Sequence, residues 1–284
     1  MQGLRLLAIS CFTLVLNACA TTSSEVAVVE PVAREYMTIG DPAAFQADTT
    51  TVFITGANRG IGLEFINQLS QRGWNIIATS RKPDESADLA AIAADYPQLV
   101  IEELDVTDYD RVDGLAAKYA NTPVDILISN AGITPKYVTA FKKVDGIDWD
   151  MARSSWEVNA IAPLKLAEAF LPVVSQSEQK KIVIISSKAG SFELSPKMPM
   201  MYSYRGSKAA LNMYMYTLSF ETNRKDIIVT MMSPGQVNTN PGFKLKGNIE
   251  PDESVSKMLK VIDGLTMANN GQFLDFEDGR VLAW

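Results

Sequence analysis

From residue 51 onward, short apolar runs alternate with segments whose apolar residues recur every third or fourth position. The continuous runs, rich in Val and Ile and bounded by Gly, Pro, Asn or Ser, read as buried strands; the helical period reads as amphipathic helices. Strands are predicted at 51–55, 75–80, 99–104, 124–129, 181–186, 227–233 and 272–276, and helices at 61–72, 86–94, 109–119, 154–171, 204–224 and 254–268. Gly73 closes the first helix and Pro97 follows the second, as helix ends require. Regular strand–helix alternation implies a parallel sheet covered on both faces. Right-handed crossovers make that sheet doubly wound, with its ligand crevice outside the carboxyl ends of the strands. The expectation is one α/β domain, a Rossmann fold of about seven strands, over residues 50–284.

The pattern before residue 50 is different. Residues 1–19 have a weakly positive start at Arg5, then an apolar stretch at 6–16, too short to span a bilayer but of export-signal length. Leu16-Asn17-Ala18-Cys19 resembles a bacterial lipobox, with Cys19 as the residue to be lipidated. Residues 20–49 are rich in Thr, Ser, Ala, Val and Pro, which suits a flexible tether. This reading makes the protein a membrane-anchored lipoprotein of the bacterial cell envelope. A start at Met37 would leave the domain cytoplasmic.

Composition removes several chemistries. The 284 residues, 47% hydrophobic, suffice for one large core. The net charge of −7 argues against nucleic acid as a partner, since neutralising phosphates needs clustered Lys and Arg. Histidine is absent, which excludes Ser-His-Asp and Cys-His catalysis and the commonest zinc ligand. The only cysteines are Cys11 and Cys19, so no cysteine metal site exists in the domain. Acid–base work falls to Tyr, Lys, Asp or Glu.

The strongest local signal is Thr55-Gly56-Ala57-Asn58-Arg59-Gly60-Ile61-Gly62, between the first strand and the first helix. A helix N-terminus offers unpaired N–H groups and a partial positive charge to an anion. Gly56, Asn58, Arg59, Gly60, Ile61 and Gly62 are therefore the candidate pyrophosphate cradle. The spacing G-x-x-x-G-x-G differs from the common dinucleotide fingerprint. Further pieces fall at crevice-facing strand ends: Asn130-Ala131-Gly132, Ser186-Ser187, Tyr204-Arg205-Gly206-Ser207-Lys208 and Pro234-Gly235-Gln236-Val237-Asn238-Thr239. Tyr204 and Lys208 are four apart on a helix and share a face.

In this order and spacing the pieces resemble the short-chain dehydrogenase/reductase family over about residues 50–284. Lys188-Ala189-Gly190-Ser191, Tyr202-Ser203-Tyr204-Arg205 and Asp278-Gly279 look like the branch containing C-factor and sniffer-type carbonyl reductases. The resemblance implies a carbonyl/alcohol oxidoreductase acting on a small molecule. Tyr204 is then the acid/base, with Lys208 and oxidised nicotinamide lowering its pKa. Moving a phenol from ~10 to near 7 needs about 4 kcal/mol at ~1.4 kcal/mol per unit. Ser187 orients the carbonyl, with Ser191 as its competitor. Asn159 matches the family's asparagine, kinking its helix and holding a water next to Lys208.

Cofactor choice follows from charge. A carboxylate ending the second strand would select NAD, but that end reads Thr79-Ser80-Arg81-Lys82. Arg59 and Arg81 are placed to clamp a 2′-phosphate, favouring NADP. Asp105 and Val106 are expected by the adenine; Asn130, Ala131 and Gly132 by the dinucleotide; Pro234, Gly235, Val237 and Thr239 by the nicotinamide. Trp149 and Trp156 are expected to close the core. The two long helices offer a face for a homo-oligomer. A nucleotide-binding signalling protein of C-factor type, without turnover, is the alternative.

Overall fold

The computed structural model describes residues 34–239, 242 and 244–284. The export signal, Cys19 and the first part of the expected tether lie outside these residues.

The strands are β1 (Thr38–Ile39), β2 (Thr51–Ile54), β3 (Asn75–Ser80), β4 (Leu99–Glu103), β5 (Ile126–Ser129), β6 (Lys181–Ile185), β7 (Ile228–Ser233) and β8 (Phe273–Asp275). They form one sheet in the order β1-β4-β3-β2-β5-β6-β7-β8, parallel except for β1. The order reverses between β2 and β5, and at such a switch point a crevice opens at the strand ends. The helices are α1 (Gly60–Gln71), α2 (Ala87–Asp95), α3 (Tyr109–Lys118), α4 (Tyr137–Ala140), α5 (Trp149–Trp156), α6 (Ala162–Ser175), α7 (Tyr202–Thr222) and α8 (Pro251–Asp263).

Strand periodicity builds two cores. Val52 and Ile54 face one way, onto Phe65, Ile66 and Leu69 of α1 and Met258 and Ile262 of α8. Phe53, between them, faces the other way, onto Leu115 of α3, Phe170 of α6 and Met215 of α7. Because both faces are covered, the strands read as unbroken apolar runs.

The structure departs from expectation in four places. First, the ordered domain begins before residue 50. Thr38–Ile39 pairs antiparallel with β4, and Asn75 bonds Gln46 in both directions, at 2.9 Å each. Charge holds this segment in place. The buried Glu102 of β4 accepts from Thr38 Oγ1 (2.8 Å), Arg111 (2.9 Å), Lys118 (2.6 Å) and the Tyr119 hydroxyl (2.6 Å). Residues 36–49 are therefore sheet edge and packing, not tether, and the sheet has eight strands. Second, the helix expected at 154–171 runs from Trp149 to Ser175, interrupted by a π turn at Glu157–Ile161. Third, Trp149 and Trp156 lie on its outer side, 63% and 44% exposed, with Trp156 edge-on to Tyr214. Fourth, the last predicted helix begins at Pro251 and stops at Gly264, leaving a short 3₁₀ turn at Met267–Asn269.

Candidate active site

The glycine turn is shaped by steric exclusion. Gly56 has φ +68°, and a Cβ there would stand 2.9 Å from the Ala131 Cα. A Cβ on Gly62 would stand 2.1 Å from the Gly56 carbonyl oxygen. Real side chains do not fit at such distances, so the β2–α1 turn and the chain after β5 touch backbone to backbone. Hydrogen bonds fix the contact. Asn130 Nδ2 donates to the carbonyls of Thr55 (2.9 Å) and Gly56 (3.0 Å), while Thr55 Oγ1 accepts from the amides of Asn130 and Ala131, both at 3.1 Å. Asn130, expected as a dinucleotide contact, thus has its amide engaged in building the turn. Thr55 shares this work, and only its place at the head of the glycine motif signals it in the sequence.

The N-terminus of α1 is left open. Its cap residue Arg59 makes no side-chain cap bond, and its first turn holds no acidic residue. The orphan N–H groups of a helix start need some partner, and an anion supplies one. Arg59 and Arg81 are exposed, and neither guanidinium has a partner among the described residues. The amide of Ala57 donates to Thr79 at 2.9 Å, which joins the turn to the end of β3. Across the crevice, a Cβ on Gly60 would meet the Thr239 Cβ at 3.2 Å, so the chain after β7 lies against the turn. Pro234 is buried and accepts from Ser254 Oγ at 2.6 Å; Val237 bridges to Ile249. Asp105 is exposed and caps Thr107, while Val106 joins the core. A glycine cradle, an uncapped helix start and two free arginines fit a phosphorylated dinucleotide.

The reacting end gathers on α7 and its neighbours. Lys208 is buried, and its Nζ donates to the Ile185 carbonyl at 2.9 Å. That nitrogen lies 6.0 Å from the Tyr204 ring centroid. A Cβ on Gly132 would be 3.2 Å from Asn159 Oδ1 and 3.9 Å from Lys208 Nζ, so three separate segments converge there. Asn159, in the π turn, accepts from the Ile133 amide (2.8 Å) and donates to the Ile133 carbonyl (2.9 Å) and Ser207 Oγ (3.1 Å). Both Nδ2 hydrogens are engaged by these partners, while Oδ1 keeps one acceptor position. The helix does deform at this residue, as its poor helix propensity suggests.

Ser187 caps a 3₁₀ turn, Lys188–Gly190, accepting from the Ala189 amide at 3.1 Å. Its hydroxyl reaches Tyr204 and draws the phenol's pKa down, but burial has the larger effect and raises it above the ordinary value. Burial also lowers Lys208 to about 8. Here the Lys208 ammonium is directed at the Ile185 carbonyl, and desolvation is the largest influence on both groups. Ser191 is turned away, accepting from the Leu194 amide at 2.9 Å. A recess lined by Pro135, Thr139, Ala140, Met151, Met201 and Ser203 adjoins the first turn of α7.

A family model for short chain dehydrogenases matches residues 50–247. An uncharacterized oxidoreductase of Schizosaccharomyces pombe is 33% identical over 245 residues, covering 79% of this chain and 94% of its own. Among solved structures, an NADPH-bound carbonyl reductase from chicken fatty liver superposes with a TM-score of 0.75 at 34% identity, covering 83% of this chain and 99% of its own. The carbonyl reductase Sniffer of D. melanogaster gives a TM-score of 0.75 at 26% identity, over 83% of this chain and 100% of its own.

Proposed function

The chain belongs to the short-chain dehydrogenase family, and on that premise we propose that it is an NADPH-dependent reductase of small carbonyl compounds, with Tyr204 as its acid. The observation that carries this reading is the pairing of Tyr204 with Ser187 beside the buried Lys208.

The chain's own residues account for the proton. Burial keeps the Tyr204 phenol protonated at neutral pH, the form that donates to a carbonyl oxygen as it gains negative charge. Ser187 orients that oxygen and shares its developing charge. Lys208, anchored on Ile185, keeps two further N–H groups for a sugar hydroxyl and for steadying the phenolate left behind. Bound NADPH would supply the hydride. The β2–α1 turn would hold its pyrophosphate, Arg59 and Arg81 its 2′-phosphate, Asp105 and Val106 its adenine side. Ala131, Gly132, Pro234, Gly235, Val237 and Thr239 would border the nicotinamide side. The NADPH-bound relative supports the cofactor choice over NAD.

The test is NADPH oxidation across a panel of aldehydes and ketones. A Tyr204→Phe variant should lose about 10²–10⁴-fold in kcat while still binding NADPH. Full turnover by the variant rejects the mechanism; cofactor binding without turnover by the unaltered protein selects the signalling alternative. Anchoring through Cys19 rests on the lipobox pattern alone. Incorporation of labelled palmitate, abolished in Cys19→Ser, tests it.

A further inference from the structure

The loop that carries Ser187 is held at both ends by one other segment of the chain. At its near end, Lys188 Nζ lies 2.6 Å from Asp275 Oδ2. At its far end, the Glu193 amide donates to the Trp284 carbonyl at 3.1 Å. Between these points the loop is pressed against α7: a Cβ on Gly190 would stand 2.7 Å from the carbonyl carbon of Lys208.

Asp275 is built as a fixed point. It ends β8, and its side chain is only 1% exposed. Its backbone amide donates to Arg280 (3.0 Å) and its carbonyl accepts from Gly279 (3.1 Å), closing a turn around it. Oδ1 accepts from the Glu277 amide at 3.1 Å, and Arg280 approaches Oδ2 at 3.4 Å. Burial pushes the carboxyl upward, but Lys188, the Glu277 amide and Arg280 together outweigh it and hold Asp275 below its ordinary value. It is therefore ionised at neutral pH. The segment beyond it is also secured, since the Trp284 ring stacks on Phe273 (centroids 5.6 Å apart) and meets Tyr216 of α7 (5.8 Å).

We infer that Asp275 is a positioning residue: through Lys188 it sets the Ser187 hydroxyl relative to Tyr204, and residues 275–284 act as a clasp on that loop. The inference rests on the reductase reading for its kinetic consequence, but not for its structural one. An ionised carboxylate with little solvent around it gives a stiff link, because its partner cannot be exchanged for water. Among the described residues, none of the bonds that hold this pair involves the β2–α1 turn, so loosening it should spare the anchoring of the cofactor's pyrophosphate.

The experiment compares Asp275→Asn with Lys188→Met, which breaks the same link from its half-exposed side and guards against misfolding of the first variant. Hydrogen exchange read by mass spectrometry on peptides covering 186–195 should rise about tenfold in both, while peptides covering 55–62 stay unchanged. In the same variants kcat toward 4-nitrobenzaldehyde should fall about tenfold, with NADPH affinity within about twofold of the parent. The double variant should be no worse than either single one, as expected of one shared interaction. Unchanged loop exchange in both variants overturns the inference, as does a kcat loss matched by an equal loss of NADPH affinity. If the parent protein turns over no carbonyl, the reductase reading fails and the exchange measurement alone decides the clasp.

Discussion

Asn159 holds Ile133 by both of its backbone groups, accepting the amide at 2.8 Å and donating to the carbonyl at 2.9 Å. A π turn in the middle of a long helix and the chain leaving β5 are thereby fixed to each other. An Asp at this position keeps the acceptor but loses the donor. Asn159→Asp should therefore cost about 1–3 kcal/mol through the orphaned Ile133 carbonyl, read as a lower urea midpoint with an unchanged slope.

Lys208 gives the cofactor-free protein a pH signature. Its folded value is about 8, against ~10.4 for an unfolded lysine. Between those values the unfolded chain holds a proton that the folded chain has released, so stability rises with pH through this window and is least favoured below it. The rise amounts to about 3 kcal/mol at ~1.4 kcal/mol per unit. Chemical denaturation at about pH 8 and about pH 10.4, roughly the two ends of the window, should show the climb in the parent and its absence in Lys208→Met.

The exposed guanidiniums of Arg59 and Arg81 belong to no internal ion pair among the described residues. Replacing either by Ala should leave the thermal midpoint nearly unchanged and weaken NADPH binding by about tenfold or more, the usual worth of a charge-assisted bond. NADH binding should barely move. Equal losses for both nucleotides would show that the two arginines do not read the 2′-phosphate.

Much of this arrangement was open to sequence reasoning. The parallel strands were legible because burial on both faces leaves long Val- and Ile-rich runs, as in Ile182, Val183 and Ile184. The glycine turn and the Tyr204–Lys208 spacing were legible because each is a local pattern with a local cause. What escaped is what depends on distant partners. Thr38–Ile39 is two residues long and polar in part; distant partners, the buried Glu102 opposite among them, make it a strand. The engagement of Asn159 is set by Ile133, 26 residues earlier. The phenol's upward shift is a matter of burial, which a Tyr-Lys spacing does not report.

The same edge yields a further expectation. A chain beginning at residue 50 loses the Thr38 and Tyr36 bonds to Glu102 and Asp108 and bares the edge of β4. Relative to one beginning at residue 34, it should be less stable by about 1–3 kcal/mol, read by chemical denaturation. It should also self-associate more readily at high concentration, read by light scattering, because an uncovered strand edge invites pairing.

The 2.1 Å clearance at Gly62 bears on how such a protein can change over time. A seam with no spare volume cannot be widened one methyl group at a time, because the first intermediate already collides with main chain. Drift at this seam is closed off, and adaptation to another nucleotide or a bulkier guest must proceed at the rim, through side chains the fold itself does not require.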